Sequence, residues 1–192
     1  MISLQGMNSE ATCTHAEAIS SPIVGVDPGI TGGIAFLFAN RVVVEDIPTA
    51  GGEVDVDTLV RRVREMQPAL AIIERANAMP KQGVASTFKY GVAYGALRTV
   101  VALCNIPYRL VTPGKWKNHF GLDSDKEKSR ALAIQFWPGC GFFSRKKDHG
   151  RAEAALIARY GAEVFRSTTP ALHQGNNPAL WRTAGRGSAA PT

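Results

Sequence analysis

The chain contains the stretch Ile23-Val24-Gly25-Val26-Asp27-Pro28-Gly29-Ile30-Thr31-Gly32-Gly33-Ile34-Ala35-Phe36. Two apolar runs flank a Pro-Gly turn and a Gly-Gly pair, and this pattern predicts two strands joined as a hairpin. The first run ends on Asp27, which places a carboxylate at the end of a strand beside the core. Because an unpaired charge there is unfavourable, Asp27 is a candidate functional residue. The alternative is a plain turn, since Asp, Pro and Gly are common turn residues.

Apolar runs and helical periodicity continue outward from this hairpin. The predicted strands lie near 23–27, 33–39, 41–47, 69–74 and 106–111, and the predicted helices near 56–66, 84–104, 124–136 and 148–160. A meander of three strands, followed by alternating helices and strands, predicts an α/β fold with a mixed sheet. Residues 1–21 are predicted to be a flexible leader and 167–192 a disordered tail, so that 22–166 form the folded domain.

Three more acidic residues stand in settings similar to that of Asp27. Glu74 closes an apolar run, and Asp148 and Glu153 open an apolar helix. If the first strand is central and 69–74 is its neighbour, these acids can meet in one site. Clustered carboxylates repel one another unless a cation lies between them, and hard oxygen ligands suit Mg²⁺. The alternatives are an ion pair for Glu74 and a helix cap for Asp148.

Positive charge is concentrated in the middle of the chain. The formal net charge is +6 and the isoelectric point is about 9.5. From Lys81 to Arg151 there are 13 Lys and Arg against 4 Asp and Glu, which favours a polyanionic partner such as nucleic acid. The candidate DNA contacts are Lys81, Gln82, Lys89, Lys115, Trp116, Lys117, Arg145, Lys146 and Lys147. The alternatives are a core position for Trp116 and a solvated surface for the cations.

The cysteines and the hydropathy pattern indicate the cellular setting. Cys13, Cys104 and Cys140 show neither a disulfide framework nor a zinc spacing. No apolar run reaches the length of a membrane span, and the N-terminal residues lack a signal-peptide core. We therefore expect a cytoplasmic, intracellular protein that acts on DNA and has no membrane partner.

Several segments, in order along the chain, resemble one known family. Val26-Asp27-Pro28-Gly29, Ile73-Glu74 and Lys147-Asp148-His149-Gly150-Arg151-Ala152-Glu153-Ala154 are similar to the signatures of the RuvC-like Holliday junction resolvases of the RNase H-like superfamily. Pro113-Gly114-Lys115-Trp116-Lys117 is similar to a substrate-side segment of that family. The resemblance covers about 22–162. One departure is Gly150, which stands where the best-known bacterial branch has an acid.

The resemblance implies a fold, a reaction and a partner. The fold would be RNase H-like and three-layered, with a mixed five-stranded sheet flanked by helices. The activity would be that of a crossover junction endodeoxyribonuclease in DNA recombination and repair, a homodimer that cuts four-way (Holliday) DNA junctions symmetrically. It would use Mg²⁺, for which Mn²⁺ substitutes, with two ions per active site. The implied metal ligands and catalytic residues are Asp27, Glu74, Asp148 and Glu153, with His149 as a further catalytic candidate.

Three other functions remain open from the sequence. The first is another RNase H-like nuclease that cuts RNA–DNA hybrids or general DNA. The second is a non-catalytic junction-binding protein, although all candidate acids are present. The third, an actin-like ATPase, is disfavoured because it needs a second similar domain and the chain has 192 residues.

Overall fold

The structure is a computed structural model that describes residues 21–75 and 83–165. Apart from Ser21, the predicted leader and tail lie outside the described residues. Two of the predicted DNA contacts, Lys81 and Gln82, also lie outside them.

The hairpin predicted around Asp27 forms the middle of the sheet. Strand β1, Ile23–Asp27, pairs antiparallel with β2, Gly33–Leu37, and Asp27 is opposite Gly33. Strand β3, Val42–Asp46, continues the meander beside β2. These strands are rich in β-branched and aromatic residues, which favour a pleated, buried surface.

The remaining elements alternate helices with parallel strands. They are β4 Thr49–Ala50, β5 Glu53–Val54, α1 Val56–Met66, β6 Leu70–Glu74, α2 Val84–Leu103, β7 Tyr108–Val111, α3 Pro113–His119, α4 Lys126–Phe136, a 3₁₀ turn Lys146–Asp148 and α5 His149–Phe165. Local chemistry explains several boundaries. Asp55 caps α1 by accepting a hydrogen bond from the Thr58 N–H at 3.0 Å. Pro113 occupies the first turn of α3, where a missing N–H costs nothing.

The sheet has the strand order β3-β2-β1-β6-β7, with β1 in the centre. β1 pairs in parallel with β6, and β6 with β7. Helix α5 packs on one face, mainly against β1 and β2, together with α3 and α4. Helices α1 and α2 cover the other face. The predicted three-layer fold with a mixed five-stranded sheet is therefore confirmed.

The structure differs from the sequence prediction at several boundaries. The short hairpin β4–β5 and helix α3 were not predicted. Helix α4 begins at Lys126 behind an Asp125 cap, rather than at 124. Helix α5 continues past Gly161 to Phe165, beyond the predicted end near 160. A Cβ at Gly161 would lie 2.3 Å from Cγ1 of Ile72, so this glycine permits close packing instead of ending the helix.

No helix within the described residues is both long enough and apolar enough to cross a bilayer.

Candidate active site

Strand alternation turns the two strand-end acids toward the same layer of the fold. In β1, Ile23 packs in the core under α5, whereas Val24 and Val26 pack under α1 and α2. Asp27 has the parity of Ile23, so its side chain belongs to the α5 face. Glu74 shares its parity with Ile72, which also packs under α5. Because β1 and β6 are adjacent parallel strands, both acids reach the same edge of the sheet.

Glycines let α5 lie directly on the β1–β2 hairpin. A Cβ at Gly25 would lie 2.2 Å from the carbonyl oxygen of Ala154, and one at Gly150 would lie 2.5 Å from that of Thr31. Arg151 adds a bidentate ion pair to Asp46 of β3, with both N···O distances 2.6 Å. These contacts fix the first turns of α5 above the end of β1.

One cavity of about 640 Å³ unites the predicted acids. Asp27, Glu74 and Glu153 line it, together with His149. His149 and Glu153 are one turn apart on α5 and therefore share a helix face. Other lining residues come from the β1–β2 loop and from helices α2, α3 and α4: Gly29, Thr31, Ser86, Lys89, Tyr90, Pro113, Lys117 and Lys126.

The electrostatics of the cavity are those of crowded carboxylates. Burial, and then the charges of Glu153 and Glu74, raise the pKa of the Asp27 carboxyl well above its ordinary value, and Lys126 and Lys117 offset this only in part. Burial also raises the pKa of Glu74, although the hydrogen bond from Trp116 acts in the opposite direction. The cavity therefore favours the addition of positive charge.

Helix α3 contacts two of the three acids through adjacent residues. The Trp116 Nε1–H donates to Oε2 of Glu74 at 2.6 Å. The Lys117 ammonium donates to Oε1 of Glu153 at 2.7 Å. The Ser129 hydroxyl lies 3.4 Å from the same Glu153 oxygen. In this structure Glu74 and Glu153 thus both accept hydrogen bonds from other side chains of the protein.

The donor set fits a divalent cation by its chemistry. Carboxylate oxygens are the ligands that Mg²⁺ prefers. Asp27 is buried beside the charges of Glu153 and Glu74, both of which raise its pKa after burial, and a cation would neutralise this cluster. Within the described residues, however, no group of three or more His, Cys, Asp and Glu side chains is already arranged to hold an ion. Lys117 binds Oε1 of Glu153, so a metal at this acid would compete with the ammonium for that oxygen.

The structure does not bring Asp148 to the other acids. Its side chain is 2% exposed, and Oδ1 accepts a hydrogen bond from Nη2 of Arg145 at 2.7 Å. Oδ2 accepts the backbone N–H of Arg145 at 2.8 Å. Burial alone would raise the pKa of Asp148, but the Arg145 hydrogen bonds and charge outweigh it and lower this pKa. These contacts give Asp148 a structural role as the third residue of a capping box on the 3₁₀ turn, and it does not line the cavity.

The predicted DNA contacts fall into different positions. Trp116 is fully buried, which corrects its prediction as a DNA contact and matches the alternative of a core position. Lys89 and Lys117 line the cavity. Three of the predicted lysines are exposed and lie close in sequence to cavity residues: Lys115, Lys146 and Lys147. Arg145 is also exposed, and it forms an ion pair with Asp148.

Sequence reasoning missed two cavity residues. Lys126 was not proposed because it lies in an alternating stretch of charges, Asp123 to Lys128, that is typical of a solvated surface. Tyr90 was not among the predicted site residues, because an aromatic side chain in a predicted helix is compatible with core packing. Burial, together with the charges of Glu74 and Asp27, raises the pKa of its phenol.

The strand order, the layers and the acids at the sheet edge define an α/β fold of the RNase H-like class. Among solved structures, Thermus thermophilus RuvC has this fold, with a TM-score of 0.54 and 19% identity over 73% of this chain and 95% of that chain. T. thermophilus RuvC in complex with a Holliday junction substrate matches with a TM-score of 0.51 and 14% identity over 73% and 94% of the two chains. The yeast mitochondrial Holliday junction resolvase Ydc2 has a TM-score of 0.47 and 19% identity, over 74% and 78%.

No protein-family model matches the chain. No curated protein matches it either. The likeness to RuvC thus establishes the fold, and the site's geometry must carry any conclusion about function.

Proposed function

We propose that this protein is a Mg²⁺-dependent endonuclease that resolves four-way DNA junctions. The observation that carries the proposal is one cavity in a RuvC-like fold that holds Asp27, Glu74 and Glu153 with cationic side chains around them. The T. thermophilus RuvC complex with a Holliday junction substrate supports branched DNA as the substrate.

The acidic and the basic residues of the cavity would have different roles. Asp27, Glu74 and Glu153 would hold two divalent ions, which supply an activated water and stabilise charge on the phosphate when bound. Lys89, Lys117 and Lys126 would attract and orient the phosphodiester at the cavity. His149 lies one turn before Glu153 on α5 and also lines the cavity. It would contact the phosphate from the α5 side. Asp148 is left out, because its carboxylate is committed to Arg145.

We also propose that the protein is a homodimer that pairs through α2. The solvent face of α2 exposes large apolar side chains, with Val84 86% and Phe88 72% exposed. Gly91 and Gly95 follow them along the same helix, with nothing within 4 Å of a Cβ at either position. Exposed apolar surface on this scale is typical of an interaction site. Two-fold symmetry would present two cavities to two strands of a junction.

The decisive experiment compares DNA substrates in the presence of Mg²⁺. The wild-type protein should cut a four-way junction at paired positions near the crossover and leave linear duplex largely uncut. Cleavage should disappear with EDTA and return with Mn²⁺. Junction binding should fall steeply with salt, because released counterions drive contacts between lysines and phosphates.

Two alternatives predict different results. Equal cutting of junction and duplex, or preferential cutting of RNA in a hybrid, would leave a metal-dependent nuclease of another specificity. Tight junction binding without cleavage under any metal condition would leave a junction-binding protein.

A further inference from the structure

Trp116 has a feature that packing alone does not require. Its ring is fully buried, and its one polar group, the Nε1–H, faces Glu74 at 2.6 Å. A buried indole N–H needs an acceptor, but a backbone carbonyl would satisfy that need. Here the acceptor is instead a carboxylate that lines the candidate active site.

The backbone fixes both ends of this hydrogen bond. The register of β6 and β7 pairs Glu74 with Val111, and the Arg75 N–H donates to the Val111 carbonyl at 2.7 Å. Helix α3 begins at Pro113, two residues later, and carries Trp116 over the end of β6. The donor and the acceptor are thus attached to neighbouring strands of one sheet, so the geometry is rigid.

We propose that Trp116 is a positioning residue for divalent-cation binding, because it holds the Glu74 carboxylate toward the cavity. This inference deepens the proposed function and rests on it. A carboxylate has about four acceptor sites, so one indole hydrogen bond leaves others for a metal ion. Partners that orient ligating side chains typically change metal affinity by roughly 10–100-fold.

The test uses a matched pair of tryptophan substitutions. Trp116→Phe keeps an aromatic ring and removes the donor. Trp137→Phe is the control, because Trp137 packs on Phe136 and Phe143 at the end of α4, away from the acids. Mn²⁺ binding is measured without DNA by electron paramagnetic resonance of the free ion. Trp116→Phe should weaken binding by roughly 10-fold or more, and Trp137→Phe should bind as wild type. Unchanged affinity in Trp116→Phe would overturn the inference.

A second measurement keeps the inference testable if Trp116→Phe does not fold. In the ¹⁵N-labelled wild-type protein, the indole N–H resonance of Trp116 should shift as Mg²⁺ is added, because its acceptor becomes a metal ligand. The Trp137 indole resonance should stay in place. A Trp116 resonance that does not respond, in a protein that binds Mg²⁺, would exclude the positioning role.

Junction cleavage, measured in parallel, separates this inference from the proposed function. If Trp116→Phe weakens Mn²⁺ binding but no protein cuts a junction, the proposed function fails and the positioning role stands. If the junction is cut and Trp116→Phe needs the same Mg²⁺ concentration as wild type, the positioning role alone fails. If the wild-type protein binds no Mn²⁺, both are rejected.

Discussion

At the scale of single residues, Asp27 illustrates how a candidate site can oppose stability. The backbone delivers its carboxylate to a buried position beside Glu74 and Glu153, and this setting raises its pKa. A group whose folded-state pKa is raised stabilises the fold at a pH below its ordinary value of 3.8. That contribution is lost as the pH rises through the raised value. At neutral pH the charged Asp27 carboxylate therefore lowers the free energy of unfolding of the metal-free protein. A bound cation would offset this loss of stability.

Asp27→Asn should make the metal-free protein more stable and abolish cleavage. Removing the buried charge should raise the free energy of unfolding at pH 7 by about 0.5–2 kcal/mol, the size of a typical single stabilising substitution. In a chain of this size each kcal/mol raises Tm by roughly 2–4 °C. Thermal unfolding in EDTA from pH 5 to 8 checks this, and the gain should shrink toward acid pH. A variant that is less stable than wild type at every pH would contradict the assignment.

Asp148→Asn should have the opposite effect on stability. Its buried carboxylate accepts hydrogen bonds from Arg145, and breaking such an interaction costs about 1–3 kcal/mol. The lowered folded-state pKa stabilises the protein above the ordinary value of 3.8 and is lost as the pH falls through the folded value. The wild-type advantage should therefore be present at neutral pH and fade in acid. Denaturant unfolding measures it, and weakened Mn²⁺ binding without lost stability would restore Asp148 as a metal ligand.

How far the residues were predictable depends on what their neighbours in sequence reveal. Asp27, Glu74 and Glu153 were found because each interrupts an apolar run, and the structure brings all three to one cavity. Trp116 was ambiguous, since Lys-Trp-Lys is compatible with both a DNA contact and a core anchor. Lys126 was missed because it is exposed like the charges beside it in sequence, and only the tertiary fold places it at the cavity.

At the scale of elements, the close packing of α5 on the β1–β2 hairpin determines where the cavity forms. The order of the main helices and strands followed from periodicity, whereas the central place of β1 was a condition that the structure meets. The closeness of α5 did not, because a glycine in a sequence reads equally well as a turn, a stop or a contact. Gly150 is the clearest case. A side chain there would meet the Thr31 carbonyl, so with this backbone no acid can occupy the position.

Gly150→Ala should destabilise the fold and impair the site together. Its Cβ would lie 2.5 Å from the Thr31 carbonyl oxygen, which forces α5 away from the hairpin that carries Asp27. Overpacking of this kind typically costs about 1–3 kcal/mol. Gly114→Ala is the control, since it is also helical and has nothing within 4 Å of its Cβ. Chemical denaturation and Mn²⁺ binding measure both effects, and equal behaviour of the two variants would contradict the close seat of α5.

At the scale of the whole molecule, the helices on the two sides of the sheet have different proposed roles. Helices α3 and α5 carry site residues on one side. On the other side, α2 contributes Lys89 and Tyr90 to the cavity and exposes apolar side chains to solvent, among them Val84 and Phe88. A junction has two strands to cut, so the proposed pairing through α2 would relate two cavities by one symmetry axis. The sequence did not reveal this apolar face, because exposure is set by what the rest of the chain leaves uncovered.

Gly95→Glu should convert the proposed dimer to a monomer without harming the fold. Gly95 lies in the middle of α2, and a side chain there meets nothing within 4 Å. Glutamate favours a helix over glycine by roughly 0.5–1 kcal/mol, so the isolated chain should unfold at the same temperature as wild type or higher. Two apposed glutamates near the two-fold axis would repel each other and stay unpaired in an apolar interface. Gln135→Glu adds the same charge at an exposed site on α4 and is the matched control.

Light scattering of the eluted protein should give the mass of a dimer for wild type and Gln135→Glu, and of a monomer for Gly95→Glu. Cleavage should follow the same division. A cruciform plasmid cut by a dimer becomes linear, because both strands are nicked within one binding event. A monomer should accumulate nicked circles instead, since each cavity remains intact but acts alone. A Gly95→Glu variant that still elutes as a dimer would place the interface away from α2, and a monomeric variant that still linearises the plasmid in one event would remove symmetric pairing from the mechanism.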